Sequence, residues 1–181
     1  MIDSNRRLLV LAVPALALAT ACSPRFNWRE VRDDNNTVAL LPARPQKVVR
    51  PLPLLEATIQ FTLISAEVGD SLFAFGSASL PDALRTPATL PRVIDRFQEV
   101  LINQTRTTLE RTDDAPTRAW TLARLPPPTA SRQIEARQGG KRLVARFYVD
   151  RGVFIEQAAW FDADAVPAAD LTTFLDGLTP G

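Results

Sequence analysis

The stretch that decides the fold is residues 131–161, which read SRQIEARQGGKRLVARFYVDRGVFIEQAAWF. Polar and apolar residues alternate on both sides of Gly139-Gly140, a dipeptide typical of two-residue hairpin turns. Asp150-Arg151-Gly152 supplies a second turn. The pattern therefore predicts three consecutive antiparallel strands, over 131–138, 141–150 and 153–161.

Strand patterns also occur before this stretch. In residues 72–78, Phe73 and Phe75 lie on one face, and the small residues Ala74, Gly76 and Ala78 leave room for a packed neighbour on the other. Residues 104–116 are polar and predict an excursion between elements. The other predicted strands are 28–32, 37–41, 47–50, 55–66 and 117–123, the last around Trp120.

Two helices complete the prediction. The first covers 90–103, where five apolar residues fall on one helical stripe: Leu90, Val93, Ile94, Phe97 and Leu101. The second covers about 166–178, with Pro167 near its start. Strands, a helix, more strands and a terminal helix predict an α+β fold. We expect a mainly antiparallel, twisted sheet of about six to eight strands packed with two main helices.

The N-terminus has the organisation of a signal peptide. Arg6 and Arg7 precede an uncharged run over 8–22. As a helix this run would span roughly 22 Å, which is too short for a hydrocarbon core of about 30 Å. We therefore predict a signal-peptide helix within residues 1–21, a tether at 22–26 and a single domain over 27–181.

The end of the leader, Ala19-Thr20-Ala21-Cys22, resembles a bacterial lipobox. The resemblance implies cleavage between Ala21 and Cys22 and lipidation of Cys22, which would anchor the protein to a membrane. Ser23 resembles the pattern that sorts lipoproteins to the outer membrane, on its periplasmic face. The alternative is an ordinary secretory signal cleaved after Ala21, with Cys22 an incidental thiol.

Composition excludes several chemistries. The chain has no histidine and one cysteine, so Ser-His-Asp triads, His-ligated metals, thiolate zinc clusters and internal disulfides are impossible. Lys plus Arg number 21 against 20 Asp plus Glu, a balance that argues against nucleic-acid binding. We predict no cofactor and no metal site. The acidic pairs sit where turns or helix caps are expected: Asp33-Asp34, Asp113-Asp114 and Asp162-Ala163-Asp164.

Other charged residues also have plain structural interpretations. Lys47 and Lys141 are expected at exposed strand edges, where a catalytic lysine would lack the burial that lowers its pKa. The acids that could form a glycosidase pair are expected on solvent faces: Glu56, Glu67, Glu135 and Glu156. Four arginines that could form a basic stripe are interpreted as part of a mixed, solvated face: Arg132, Arg137, Arg142 and Arg146.

The order in which several motifs follow one another along the chain resembles that of a known superfamily. Leu41-Pro42-Ala43-Arg44-Pro45 ends the second strand, residues 73–81 end a hairpin, and the glycine hairpin precedes a last helix with Phe174. This order resembles the PsbP/Mog1/DcrB-like superfamily, an α/β/α sandwich. Phe26-Asn27-Trp28-Arg29-Glu30-Val31 is similar to the start of a family of uncharacterised proteobacterial lipoproteins. The resemblance implies binding and accessory roles without chemistry.

The sequence thus predicts a non-enzymatic accessory or protein-interaction protein, anchored in the cell envelope and facing an envelope partner that the sequence does not name. Oligomeric state is left open. The alternative is a periplasmic binding module for a hydrophobic small ligand, and a hydrolase with an unconventional acid pair is the third hypothesis. The aromatic residues that could line an apolar pocket, or fill the core instead, are Phe73, Phe75, Trp120, Phe147 and Trp160.

Overall fold

The computed structural model describes residues 25–113 and 128–181. These residues form two α-helices, α1 at Leu90–Thr105 and α2 at Ala168–Asp176, and a short 3₁₀ helix at Asp82–Leu84. They also form nine strands in two sheets. The strands are β1 Arg29–Arg32, β2 Val38–Leu41, β3 Gln46–Leu54, β4 Ala57–Val68, β5 Ser71–Ser79, β6 Thr108–Asp113, β7 Ala130–Gln138, β8 Lys141–Asp150 and β9 Val153–Asp162.

The larger sheet has seven strands in the order β3-β4-β5-β9-β8-β7-β6, and all neighbouring strands are antiparallel. The three strands predicted from 131–161 are confirmed as β7, β8 and β9. Gln138 pairs directly with Lys141 across the first turn. Gly139 has φ 57°, a conformation that glycine adopts without a Cβ clash. The α+β class with a mainly antiparallel sheet and two helices is also confirmed.

Residues 108–113 differ from the expectation of a polar excursion. They form β6, which pairs with β7 at one edge of the large sheet. The side chains of residues 108–112 are exposed, including Leu109, so the strand lacks the apolar alternation by which a sequence reveals a half-buried strand. The strand predicted at 117–123 lies outside the described residues.

The large sheet is covered on both faces. On one face α1 inserts Leu90, Val93, Ile94 and Phe97 into a core that includes Phe154. On the other face lie α2 and the two-stranded β1–β2 sheet, and their core includes Leu41, Phe73, Phe75, Tyr148, Phe161 and Phe174. Central strands β8 and β9 are therefore buried on both sides, and alternation along them does not separate buried from exposed residues.

The helices follow their predicted stripes with small differences at the ends. α1 continues to Thr105, and Arg106 closes it in a left-handed conformation with φ 53°, donating its N–H to the Ile102 carbonyl. α2 is shorter than predicted, because Pro167 precedes its first residue and the helix ends at Asp176. In the described ranges, no helix is long and apolar enough to cross a membrane.

Candidate functional site

A cavity of about 470 Å³ lies between α1 and the sheet. We call it the α1 cavity. Its volume falls within the range of about 300–1,000 Å³ typical of small-molecule sites. The α1-facing sides of five strands and the last two turns of α1 contribute its apolar wall: Leu52, Phe61, Leu63, Leu72, Ala74, Phe97, Val100, Leu101, Leu143, Ala158 and Trp160.

Small side chains in the central strands create this space. Ala74 pairs with Ala158 across β5 and β9, and Ala158 pairs with Ala145 across β9 and β8. These three alanines form a row on the face below α1, where larger side chains would fill the gap. The sequence had indicated small residues on this face of β5, but as a place for a packed neighbour and not for a cavity.

Gly76 is a further small residue on this face of β5, and it leaves room for the Phe61 ring, which forms one wall of the cavity. A Cβ at this position would clash with the Phe61 ring, so glycine is needed for the ring to lie across the strand. The Phe61 ring centroid lies 5.4 Å from that of Phe97, which stacks on Phe154 at 3.7 Å. The aromatic rings of sheet and helix thus form a rigid wall beside the cavity.

Glu156 is the one acidic residue that lines the cavity among the described residues. It lies on β9 between Gly76 on β5 and Phe147 on β8, and only 8% of it is exposed. Burial raises the pKa of its carboxyl from 4.5 to about 7, and the nearby Arg50 guanidinium partly opposes that increase. The expectation that Glu156 faces solvent is therefore wrong, because both faces of β9 are covered.

Trp160 forms part of the cavity wall near the end of β9. Its indole Nε1 is buried and has no hydrogen-bond partner among the described residues. The Lys141 ammonium lies over the ring, 4.6 Å from the ring centroid, and also pairs with Asp162 at 3.1 Å. This cation–π contact holds the indole ring at the wall.

The rim of the cavity is polar and basic. Arg50 comes from edge strand β3, and Arg106 follows the last residue of α1. Both side chains are exposed, and neither forms a salt bridge with another described residue. The neutral polar residues of the lining are Gln104, Thr105 and Gln138. The cavity therefore combines an apolar interior with two exposed arginines, of which Arg50 lies near enough to Glu156 to lower its pKa.

The structure does not bring the predicted aromatic group together. Trp160 lines the cavity, and Phe147 lies on the same side of the sheet within the α1 core. Phe73 and Phe75 lie on the opposite face, where Phe73 packs edge-on against Phe174 with centroids 5.2 Å apart. Trp120 lies outside the described residues, as do Ala21 and Cys22. Odd and even positions of β5 point to different faces, which separates Phe73 and Phe75 from the cavity.

Asp33, Asp34 and Lys47, three of the other candidate residues, have structural partners. Asp33 accepts hydrogen bonds at Oδ1 from the N–H groups of Asn35 and Thr37, as a turn residue does. Lys47 pairs with Asp34 at 2.8 Å in an exposed setting. Within the described ranges, no group of three or more acidic or cysteine side chains could hold a metal ion.

The four arginines of the suspected basic stripe each have an acidic neighbour and do not share one surface. Arg132 pairs with Asp95 of α1, whereas Arg146 pairs with Asp176 on the α2 side. The remaining two pairs are Arg137 with Glu110 and Arg142 with Glu135. The mixture of charges is as expected, but the expectation of one solvated face is wrong for Arg132 and Arg146, whose side chains are only 16% and 13% exposed.

No family model and no curated protein sequence matches the chain. Among solved structures, the solution structure of cyanobacterial PsbP (CyanoP) from Synechocystis sp. PCC 6803 is similar, with a TM-score of 0.55 at 12% sequence identity. The match covers 92% of this chain and 99% of that one. Such a likeness shows the fold alone. The PsbP-like fold expected from the motif order is therefore confirmed.

Proposed function

We propose that this chain is a lipid-anchored cell-envelope protein without enzymatic activity, and that its folded domain binds an apolar small molecule in the α1 cavity. The α1 cavity is the single observation that carries the proposed ligand binding. It is an apolar space of about 470 Å³ with few polar groups, which is the general form of a small-molecule site. The apolar interior favours a ligand that gains free energy by leaving water.

A binding role accounts for the chemistry of the lining better than catalysis does. Glycoside hydrolysis needs two carboxyl groups across one site, and Glu156 is the one acid that the described lining offers. Lys141, which was weighed as a catalytic lysine, is paired with Asp162. The groups that line the cavity can hold and orient a ligand, which supports a protein without enzymatic activity.

The location is proposed from the leader sequence. Cleavage before Cys22 and lipidation of its sulfur would attach the domain to a membrane by acyl chains, and Ser23 favours the periplasmic face of the outer membrane. A tether over 22–26 would then hold the folded domain close to the bilayer. An apolar ligand with little solubility in water could reach the cavity from that bilayer.

Calorimetric titration with decanol tests ligand binding. The titrated protein is the leaderless chain, residues 22–181 with Cys22→Ser, which contains every described residue and needs no detergent. We expect saturable binding with a negative heat-capacity change, because apolar surface is buried. Ala158→Leu should abolish the binding by filling the cavity. The proposal fails if decanol does not bind, or if it binds the variant equally well.

A second candidate function, a protein-interaction accessory role, is favoured by the outer edge of β3. Val48 and Val49 on this edge strand are 55% and 51% exposed. An edge strand can pair with a strand of another protein, and exposed valines would add apolar contact. We therefore propose β3 as the docking edge for an envelope protein.

A photo-crosslinking residue at position 48 tests this second function in cells. We expect one discrete adduct from position 48 and none from the exposed position 172 on α2. Equal labelling from both positions, or none from either, would remove the support for an interaction at β3.

A further inference from the structure

We propose that the ligand of the α1 cavity is an anionic amphiphile, with its hydrocarbon chain in the apolar interior and its carboxylate at the rim between Arg50 and Arg106. This inference rests on the proposed ligand-binding function and deepens it. It names the chemistry of the head group, which the apolar interior alone does not determine.

The distribution of charge around the cavity favours an anion. The charged residues of the described lining are Arg50, Arg106 and Glu156. The two arginines are exposed, and Arg50 lies near enough to Glu156 to lower the pKa of that carboxyl. When Glu156 is neutral, the described lining carries two positive charges and no negative one. A carboxylate is a natural partner for guanidinium, because two N–H groups can donate to its two oxygens.

The polar residues near the C-terminal end of α1 fit the same head group. Gln104 and Gln138 have side-chain amides that can donate hydrogen bonds, and the Thr105 hydroxyl can also donate. The Thr105 hydroxyl is already 2.8 Å from the Leu101 carbonyl, so the amides are the better donors to a ligand. A carboxylate at this rim would therefore have cationic and neutral donors around it.

Glu156 should make this binding depend on pH. Its pKa of about 7 means that the carboxyl is largely neutral below neutral pH and negatively charged above it. An ionised Glu156 would repel an anionic ligand, whereas the neutral form would not. Arg50 of β3 is the charged group that acts on the Glu156 carboxyl, and Arg106 after α1 is the other cation of the described lining. Strands β4, β5, β7 and β8 line the cavity with uncharged side chains. Affinity for the anion should thus fall as pH rises through about 7.

The test compares three probes with the same hydrocarbon chain: decanoate, decanol and decyltrimethylammonium. Each is titrated calorimetrically into the leaderless chain at about pH 6 and about pH 8, conditions on either side of the Glu156 pKa. We expect decanoate to bind at least about tenfold more tightly than decanol at the lower pH, as one charge-assisted contact would give. At the higher pH this advantage should shrink.

Two matched variants locate the head group. Arg50→Gln should weaken decanoate binding by about tenfold and leave decanol binding unchanged. Arg92→Gln is the control, because Arg92 is an exposed arginine on α1 that pairs with Glu56 outside the cavity. It should change neither affinity.

The outcomes separate this inference from the function on which it rests. If decanol binds as tightly as decanoate and Arg50→Gln changes nothing, the anionic head group is wrong and the apolar cavity remains a ligand site. If decyltrimethylammonium binds most tightly and Glu156→Gln abolishes that binding, the head group is cationic and the inference is overturned. If none of the three probes binds, the proposed function itself fails.

Discussion

Glu156 on β9 stands directly opposite Gly76 on β5, so the buried carboxyl has a neighbour without a side chain. Phe61 lies over Gly76, and Glu156 is only 8% exposed although it lines a cavity. The pair of Gly76 and Glu156 thus links the aromatic wall of the α1 cavity to the raised pKa of the carboxyl that lines it. The missing side chain lets an aromatic wall form, and the burial moves a carboxyl pKa to about 7.

The raised pKa of Glu156 predicts how stability changes with pH. The folded state binds this proton more tightly than the unfolded state, whose carboxyl has an ordinary pKa of 4.5. The associated stability is therefore complete below pH 4.5 and is lost as pH rises through about 7. The loss should amount to about 3 kcal/mol in the wild type and be absent in Glu156→Gln.

Urea unfolding of both proteins from about pH 4 to about pH 8 measures this difference. Glu156→Gln should gain stability relative to the wild type as pH rises, because it has no charge to bury. Parallel pH profiles for the two proteins would show that Glu156 ionises as an exposed carboxyl does.

Gly76→Ala should destabilise the protein by about 1–3 kcal/mol, because the added Cβ overlaps the Phe61 ring. Gly140→Ala is the control, since a Cβ at that position meets open space, and it should change the unfolding free energy by at most about 0.5 kcal/mol. Adding Phe61→Leu to Gly76→Ala should recover part of the loss. Equal effects of the two glycine substitutions would contradict the packing described for Phe61.

Ala158 and Ala159 are adjacent on β9 but point to opposite faces of the sheet. A larger side chain at position 158 would fill the cavity, whereas one at position 159 would overpack a core. Ala158 lines the α1 cavity, whereas Ala159 is 0% exposed in the α2-side core. Ala159→Leu should cost about 1–3 kcal/mol, and Ala158→Leu should cost less than about 1 kcal/mol. Chemical denaturation measures both, and a reversed order would mean that the space below α1 is already filled.

Cys22→Ser tests the proposed anchor in a bacterial host that has lipoprotein processing. Wild type should incorporate radiolabelled palmitate and fractionate with membranes, and the variant should lack the label. An ordinary secretory signal predicts instead that neither protein is labelled and that both are cleaved after Ala21. Absence of label in the wild type, or label retained in the variant, would rule out lipidation at Cys22.

The sequence predicted the elements of this fold better than it predicted the site. The turns at Gly139 and Gly152 and the apolar stripe of α1 are local patterns, and each was found where expected. Strand β6 was not predicted, because an exposed edge strand has no apolar face to reveal it.

Which residues line the site depends on which faces of the large sheet are covered by other elements. The alternation of polar and apolar residues along a strand does not give that information. Glu156 was expected on a solvent face, yet it and the adjacent Gln157 are both buried because helices or strands cover each face of β9. The useful pattern was the set of small residues at Ala74 and Gly76. In the folded chain these residues lie beside Ala158 of β9, and together the small side chains leave the space of the cavity.

The most direct test of the central claim is to locate bound decanol by NMR titration of the isotope-labelled leaderless chain. We predict that shift changes concentrate at residues lining the cavity, such as Leu101, Leu143 and the indole N–H of Trp160. Phe174 and Leu175, on the opposite side of the sheet, should remain unchanged. Changes centred on the α2 side, or no saturable change at all, would contradict ligand binding in the α1 cavity.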